Sequence, residues 1–263
     1  MKNSVALLFF ILCYFLNFTS AGASGKTSKH HYTDTLKILT YNVRNCKGLD
    51  NATDFQRIAD VINRGDADCI ALQELDSATQ RLNQAVALSE LALRTGMFPT
   101  FHGSISYQGG KYGIGILTRG KPLKTKAMAL PGKEEARSLL IVEMKNYVIC
   151  CTHLSLTHED RIRSVKMITE SLQKYSKPVF LAGDLNVEPN SVEINNLIKD
   201  WIIISNPARL TFPANHPERC IDYIMTKKSS RPKVKVVACE VVNEPMASDH
   251  LPVWVKVIVN ANR

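Results

Sequence analysis

The sequence lacks several features that would place it early in a function class. It has no Cys-x-x-Cys pair and no Cys/His spacing suited to zinc, which sets aside a zinc module. Aromatics make up only 7% of the chain, and no stretch interleaves them with basic residues as a single-strand-binding groove would. There is no internal repeat and no low-complexity tract, and only one short polar stretch reads as a linker. Acidic residues are under-represented: 24 Asp and Glu stand against 33 Lys and Arg, for a net charge of +9. A basic surface attracts phosphate esters, nucleic acid or acidic lipid headgroups. The basic residues are scattered, and their densest clusters are Lys121/Lys124/Lys126 and Lys227/Lys228/Arg231/Lys233/Lys235, each of which reads as a solvated basic face.

The first 23 residues have the pattern of a secretory signal: Lys2, an apolar run over residues 5–16, and the small-residue site Ala21-Gly22-Ala23. The run is too short for a membrane anchor and has no basic stop directly after it. Export to the periplasm or the extracellular space is therefore expected. Residues 24–35 are polar and patternless and read as a flexible tether, which leaves 36–263 as one domain. Besides Cys13 there are six cysteines. Cys69, Cys150 and Cys151 sit within apolar runs and read as small core residues, so mostly free thiols are expected.

Strand-length apolar runs recur at residues 36–43, 68–73, 114–118, 139–144, 147–152, 178–182, 221–225, 234–242 and 251–259. Helical spacing is confined to 54–64 (with Thr53 as the cap), 77–95, 157–175 (opened by a Thr-x-x-Asp capping pattern at Thr157) and 191–199. Many strands with few helices predict an α/β fold of two packed mixed β-sheets with helices outside.

Polar residues cluster where the apolar runs end. A polar group there is unfavourable to bury unless it is paired or has a role. Asn42 ends the first run, Glu74 the second and His153 the fifth. Gly183-Asp184-Leu185-Asn186 follows the sixth, Asp222 interrupts the seventh, and Asp249-His250 precedes the last. Taken singly, Asn42, Glu74, His153 and Asp222 read as well as turn or structural residues. Together they are the types that a hard cation and a phosphate require: Glu74, Asn42 and Asp249 as oxygen ligands for Mg²⁺ or Mn²⁺, and Asp184 to hold or deprotonate a water. Asn186 and His153 would contact phosphate, and His250 would be oriented by Asp222. Arg137 is a further candidate phosphate ligand, although its setting in Glu134-Glu135-Ala136-Arg137 reads as surface.

These segments resemble, in order, the motifs of the endonuclease/exonuclease/phosphatase superfamily, which includes DNase I-like nucleases, neutral sphingomyelinases and inositol polyphosphate phosphatases. The resemblance rests on Thr40-Tyr41-Asn42-Val43-Arg44, Gln73-Glu74, Gly113-Ile114-Gly115-Ile116-Leu117, Thr152-His153-Leu154, Gly183-Asp184-Leu185-Asn186, Ile221-Asp222-Tyr223-Ile224 and Ser248-Asp249-His250. It implies a four-layer α/β sandwich and assigns metal binding and phosphate chemistry to the same positions. The expected activity is hydrolysis of a small or lipid-like phosphodiester by a monomer, with nucleic acid as an alternative substrate and peripheral membrane contact open. A catalytically silent module that binds a phosphorylated ligand is the reading from another class.

Overall fold

The computed structural model describes residues 33–230 and 233–260. The expected signal, and the tether up to residue 32, lie outside the described residues. Twelve strands form two six-stranded sheets. The first contains β1 (Thr33–Asn42), β2 (Cys69–Ser77), β3 (Phe98–Tyr107), β4 (Gly110–Thr118), β11 (Val234–Val241) and β12 (Val253–Asn260), in the order β11-β12-β1-β2-β4-β3. The second contains β5 (Lys124–Leu130), β6 (Arg137–Glu143), β7 (Val148–His153), β8 (Val179–Asp184), β9 (Trp201–Ile203) and β10 (Asp222–Lys227), in the order β5-β6-β7-β8-β10-β9. Each sheet is mixed, with one parallel pair: β1 with β2, and β7 with β8.

Period-two alternation decides what each strand buries. In β12, Val253, Val255, Val257 and Val259 face the core between the sheets, while Trp254 packs on the other side. In β8, Phe180 and Ala182 face between the sheets, and Val179 and Leu181 face outward under α3 (His158–Leu172) and α4 (Val192–Asp200). Helices α1 (Phe55–Gly65) and α2 (Ala87–Thr95) cover the outer face of the first sheet. The result is the four-layer sandwich with both sheets mixed. Cys69, Cys150 and Cys151 are fully buried core residues, and the described cysteines are all free thiols.

Several local expectations are corrected. β1 begins at Thr33, so the last three residues assigned to the tether pair instead with β12, Thr35 opposite Ile258. The cap of α1 is Asp54, whose carboxylate accepts from Arg57 N at 2.9 Å, rather than Thr53. Residues 77–95 do not form one helix. Ser77 still pairs with Lys111, and Asn83 and Gln84 hold positive φ, so α2 starts only at Ala87. Thr157 makes no side-chain cap for α3 and donates to Glu134 instead. Strands β3, β5 and β9 were missed, and the first two bury little of their length, which blurs the apolar alternation. Lys227 is not part of a basic face. It is buried, and its ammonium donates to the carbonyls of Leu172, Gln173 and Tyr175 beyond the end of α3.

Candidate active site

Strand direction brings the predicted residues together. The parallel pairs β1/β2 and β7/β8 end at the same rim, and the antiparallel β10 and β12 begin there. Register places Asn42 beside Gln73, and His153 and Asp222 on either side of Asp184. His250 lies three residues before β12. Six strand ends from two sheets therefore converge at one rim of the sandwich.

Two backbone features aim these groups. Between Leu72 and Leu75 the β2/β4 register shifts, and Glu74 sits in the bulge at φ +60°. A non-glycine residue held there costs roughly 1–3 kcal/mol, and such strain persists where the surrounding structure enforces it. At Gly183, a Cβ would lie 2.0 Å from the Thr152 carbonyl oxygen, so only glycine lets β8 run this close to β7.

The carboxylate of Asp184 is the point of convergence. Its Oδ1 accepts from Asn186 N at 2.9 Å. Its Oδ2 accepts from Asn42 Nδ2 at 3.1 Å and lies 3.5 Å from His153 Nε2 and 3.6 Å from His250 Nε2. Asn42 Nδ2 also donates to Glu74 Oε1 at 2.9 Å. Asn186 Nδ2 donates to Leu154 O at 2.9 Å, tying its loop to the residue after His153.

The two histidines differ in charge. Burial drives His153 down to about 4, against the pull of Asp184, so it is neutral at physiological pH. Burial would also lower His250, but the charges of Asp222 and Asp184 and the bond to Asp222 raise it to about 10. His250 is thus a buried imidazolium, its Nδ1 donating to Asp222 Oδ2 at 3.0 Å.

Asp184, Asp222 and His250 come within 4.8 Å of one another and in principle form a metal-binding trio. Their hydrogen bonding argues otherwise, because a protonated His250 has no lone pair for an ion. Glu74 fits better. Burial raises its pKa, and the charges of Asp249 and Asp184 raise it further against the Asn42 bond. A cation would relieve that crowding, and the carboxylate oxygens of Glu74 and Asp249 suit a hard one. Asn42 turns its amide nitrogen to Glu74 and its Oδ1 to Arg44 N, so its oxygen would face the ion with the amide flipped. Asp249 is partly exposed and lies 3.6 Å from Arg44 Nε.

Arg137 is not a surface residue. It is buried, its guanidinium 3.3 Å from both Glu134 and Glu135, with Nε unpartnered. Sequence reasoning missed several supporting groups. Tyr112 on β4 has its hydroxyl against Glu74, and the Phe212 ring packs on His250 with centroids 4.7 Å apart. Thr211 Oγ1 accepts from the backbone N–H of Ile221 and Asp222, and Ser248 Oγ donates to Asn42 O at 2.7 Å. Glu134 accepts from Leu156 N, Ser155 Oγ and Thr157 Oγ1, pinning the loop after His153. The run Thr211-Phe212-Pro213 before Asp222 carries no local pattern to show that it packs on the histidine.

A model of the endonuclease/exonuclease/phosphatase family matches residues 39–250. No curated protein matches. Among solved structures, an endonuclease/exonuclease/phosphatase from Beutenbergia cavernae is 20% identical, with a TM-score of 0.70, over 86% of this chain and 72% of that one. The mannosyl-6-phosphatase Bt3783 of Bacteroides thetaiotaomicron is 18% identical, with a TM-score of 0.66, over 84% and 99%. D. rerio TDP2 complexed with single strand DNA product is 20% identical, with a TM-score of 0.67, over 85% and 98%. At these identities the structures establish a shared fold.

Proposed function

The chain belongs to the endonuclease/exonuclease/phosphatase family, and from that premise we propose that it is a Mg²⁺- or Mn²⁺-dependent phosphoester hydrolase acting on a small phosphodiester. The observation that carries the reading is the convergence on Asp184 Oδ2 of groups from both sheets, beside a crowded carboxylate at Glu74.

A cation held by Glu74, Asn42 and Asp249 would neutralise phosphate charge. The chain's own residues account for the remaining work. Asp184 is placed to align a water and take its proton. His250, kept cationic by Asp222, offers a charged N–H to a phosphoryl oxygen, and Asn186 and neutral His153 offer further donors. Phe212 covers one face of His250 and helps keep water from the imidazolium. Arg137, with its charge balanced by Glu134 and Glu135, acts as support beneath the loop after His153 rather than as a phosphate ligand.

A nuclease is the second reading. Arg81 lies 4.6 Å from the Tyr107 ring and 5.4 Å from the Tyr112 ring, beside Glu74, and such a platform can stack a base. Of two structural neighbours, one is named a mannosyl-6-phosphatase, which points to a sugar phosphomonoester, and the other is TDP2 with a single strand DNA product, in line with the nuclease reading. Export after removal of residues 1–23 is part of the proposal and is checked by N-terminal sequencing of the secreted protein.

The test is a screen of phosphomonoesters, phosphodiesters, sphingomyelin, single-stranded DNA and duplex DNA with Mg²⁺, Mn²⁺ or EDTA. Turnover of small diesters that EDTA abolishes supports the first reading, and turnover of DNA alone supports the second. Ligand binding without turnover of any ester would leave a silent binding module.

A further inference from the structure

The exposed lysines of the two basic clusters, about a hundred residues apart in the sequence, lie at the same end of the sandwich, one group on the β4–β5 side and the other on the β10–β11 side, and it is the end opposite the catalytic rim. Asp184 and His153 close β8 and β7 at the rim, and Val179 and Val148 open the same strands. Five residues of extended chain separate the two levels by about 17 Å. At the far level Lys124 pairs in register with Glu143, which pairs with Val148.

Three hollows tile this pole. One, of about 490 Å³, is walled by Lys124, Lys126 and Lys174. A second, of about 400 Å³, opens between the sheets beside Arg119 and Lys145. A third, of about 410 Å³, shares Arg119 and adds Lys37 and Lys256. Lys121, Lys228, Lys233 and Lys235 are exposed on the adjoining connections and strand start. The carboxylates that line these hollows are engaged: Asp66 and Asp68 with Arg119, and Glu143 with Lys177. Asp200, beside Lys228, lies at the margin. The excess positive charge of the chain therefore gathers away from the chemistry.

We infer that this pole docks on an anionic lipid bilayer, with the catalytic rim held facing away from it. Three observations favour a bilayer over other polyanions. Leu123, flanked by Lys121 and Lys124, is 62% exposed, so the patch offers an apolar tip among cations. Strand β1 enters at Thr33, opposite Asn260, on the far side from Asn42, so residues 24–32, which remain after removal of 1–23, are attached at this pole. Those residues include Lys26 and Lys29, and a basic patch backed by a basic tether is the pattern that anionic headgroups attract. A nucleic acid substrate, by contrast, would be drawn to the end of the molecule that holds no catalytic group. The inference goes beyond the proposed hydrolysis and implies that a substrate reached while docked is a soluble phosphoester.

The chain from residue 24 onward, as it stands after export, is tested by vesicle sedimentation, with phosphatidylcholine vesicles that lack or contain about 30% phosphatidylserine. Binding is expected only with phosphatidylserine, and about 0.5 M NaCl should release it by screening. The triple variant Lys121→Glu, Lys124→Glu, Lys174→Glu should bind at least ~10-fold more weakly, and turnover of a soluble chromogenic phosphodiester should not change if the parent shows any. Equal binding to neutral vesicles, or no effect of the triple variant, overturns the inference. So does binding of duplex DNA or heparin through the same lysines without vesicle binding. Vesicle binding is read without turnover, so it stands or falls separately from the enzymatic reading.

Discussion

Asp184 and Asp222 are register partners across the antiparallel pair β8/β10, and the imidazole of His250 lies between their carboxylates, 3.0 Å from Asp222 Oδ2 and 3.6 Å from Asp184 Oδ2. Two buried carboxylates this close need positive charge between them. The chain supplies it from the first sheet, because His250 immediately precedes the region of β12. The contact joins the two sheets at the rim and accounts for the raised pKa of His250.

Asp222→Asn removes one of those charges. The His250 pKa should fall from about 10, and turnover should drop by about 10²- to 10⁴-fold, as when an orienting carboxylate is neutralised in other His-based sites. An NMR titration of the imidazole and a kcat profile against pH check this. An unmoved titration would falsify the assignment of Asp222 as its partner.

The same pair sets an alkaline stability limit. His250 is raised in the folded state, so its contribution is complete below the ordinary histidine value and is lost as pH rises through about 10. Urea unfolding in EDTA from neutral to alkaline pH should show this loss, and in Asp222→Asn it should occur at lower pH.

Glu74→Gln should weaken Mg²⁺ and Mn²⁺ binding by at least ~10-fold, measured by calorimetry or metal-dependent thermal shift. Because Glu74 is crowded by Asp249 and Asp184, the stability of the metal-free protein should not fall. Unchanged metal affinity would remove Glu74 from the ligand set.

Gly183→Ala places a Cβ 2.0 Å from a backbone oxygen that cannot swing away. A loss of about 1–3 kcal/mol or more in urea unfolding is expected, together with reduced turnover because Asp184 is the next residue. Wild-type stability in this variant would mean that β7 and β8 can separate without penalty.

Glu134 is held down to about 2: burial opposes, while bonds from backbone N–H groups, Ser155 and Arg137 prevail. Its contribution is present above the ordinary glutamate value and is lost as pH falls through about 2. The stability gap between the parent and Glu134→Gln should therefore be constant near neutrality and close on acidification. Because Glu134 anchors the loop after His153, kcat should fall in the variant more than KM rises.

Most of the strands, and the polar residues that close or interrupt their apolar runs, were legible in the sequence, because each of these signals is local; the four-layer arrangement was implied by the resemblance of the motifs to a known family. Alternating valines in β12 announce a strand buried on one face, and acids and amides recurring at the ends of several such runs, though none of them singly, point to one shared use. Helix α2 was not legible in its true length, since the pairing of Ser77 with Lys111 competes with a helical pattern that the residues also satisfy. Buried Lys227 and Arg137 read as surface, because a charge gives no sign in sequence of the carbonyls or carboxylates that will surround it. Thus the sequence by itself determined nine of the twelve strands and the chemical groups set along or beside their ends. Only the tertiary structure decided that His250, the partner expected for Asp222, also lies against Asp184, that Glu74 is turned inward by a bulge, and that the exposed lysines collect opposite the site. Those relationships depend on strand order and register between segments far apart in the chain, which local periodicity does not encode.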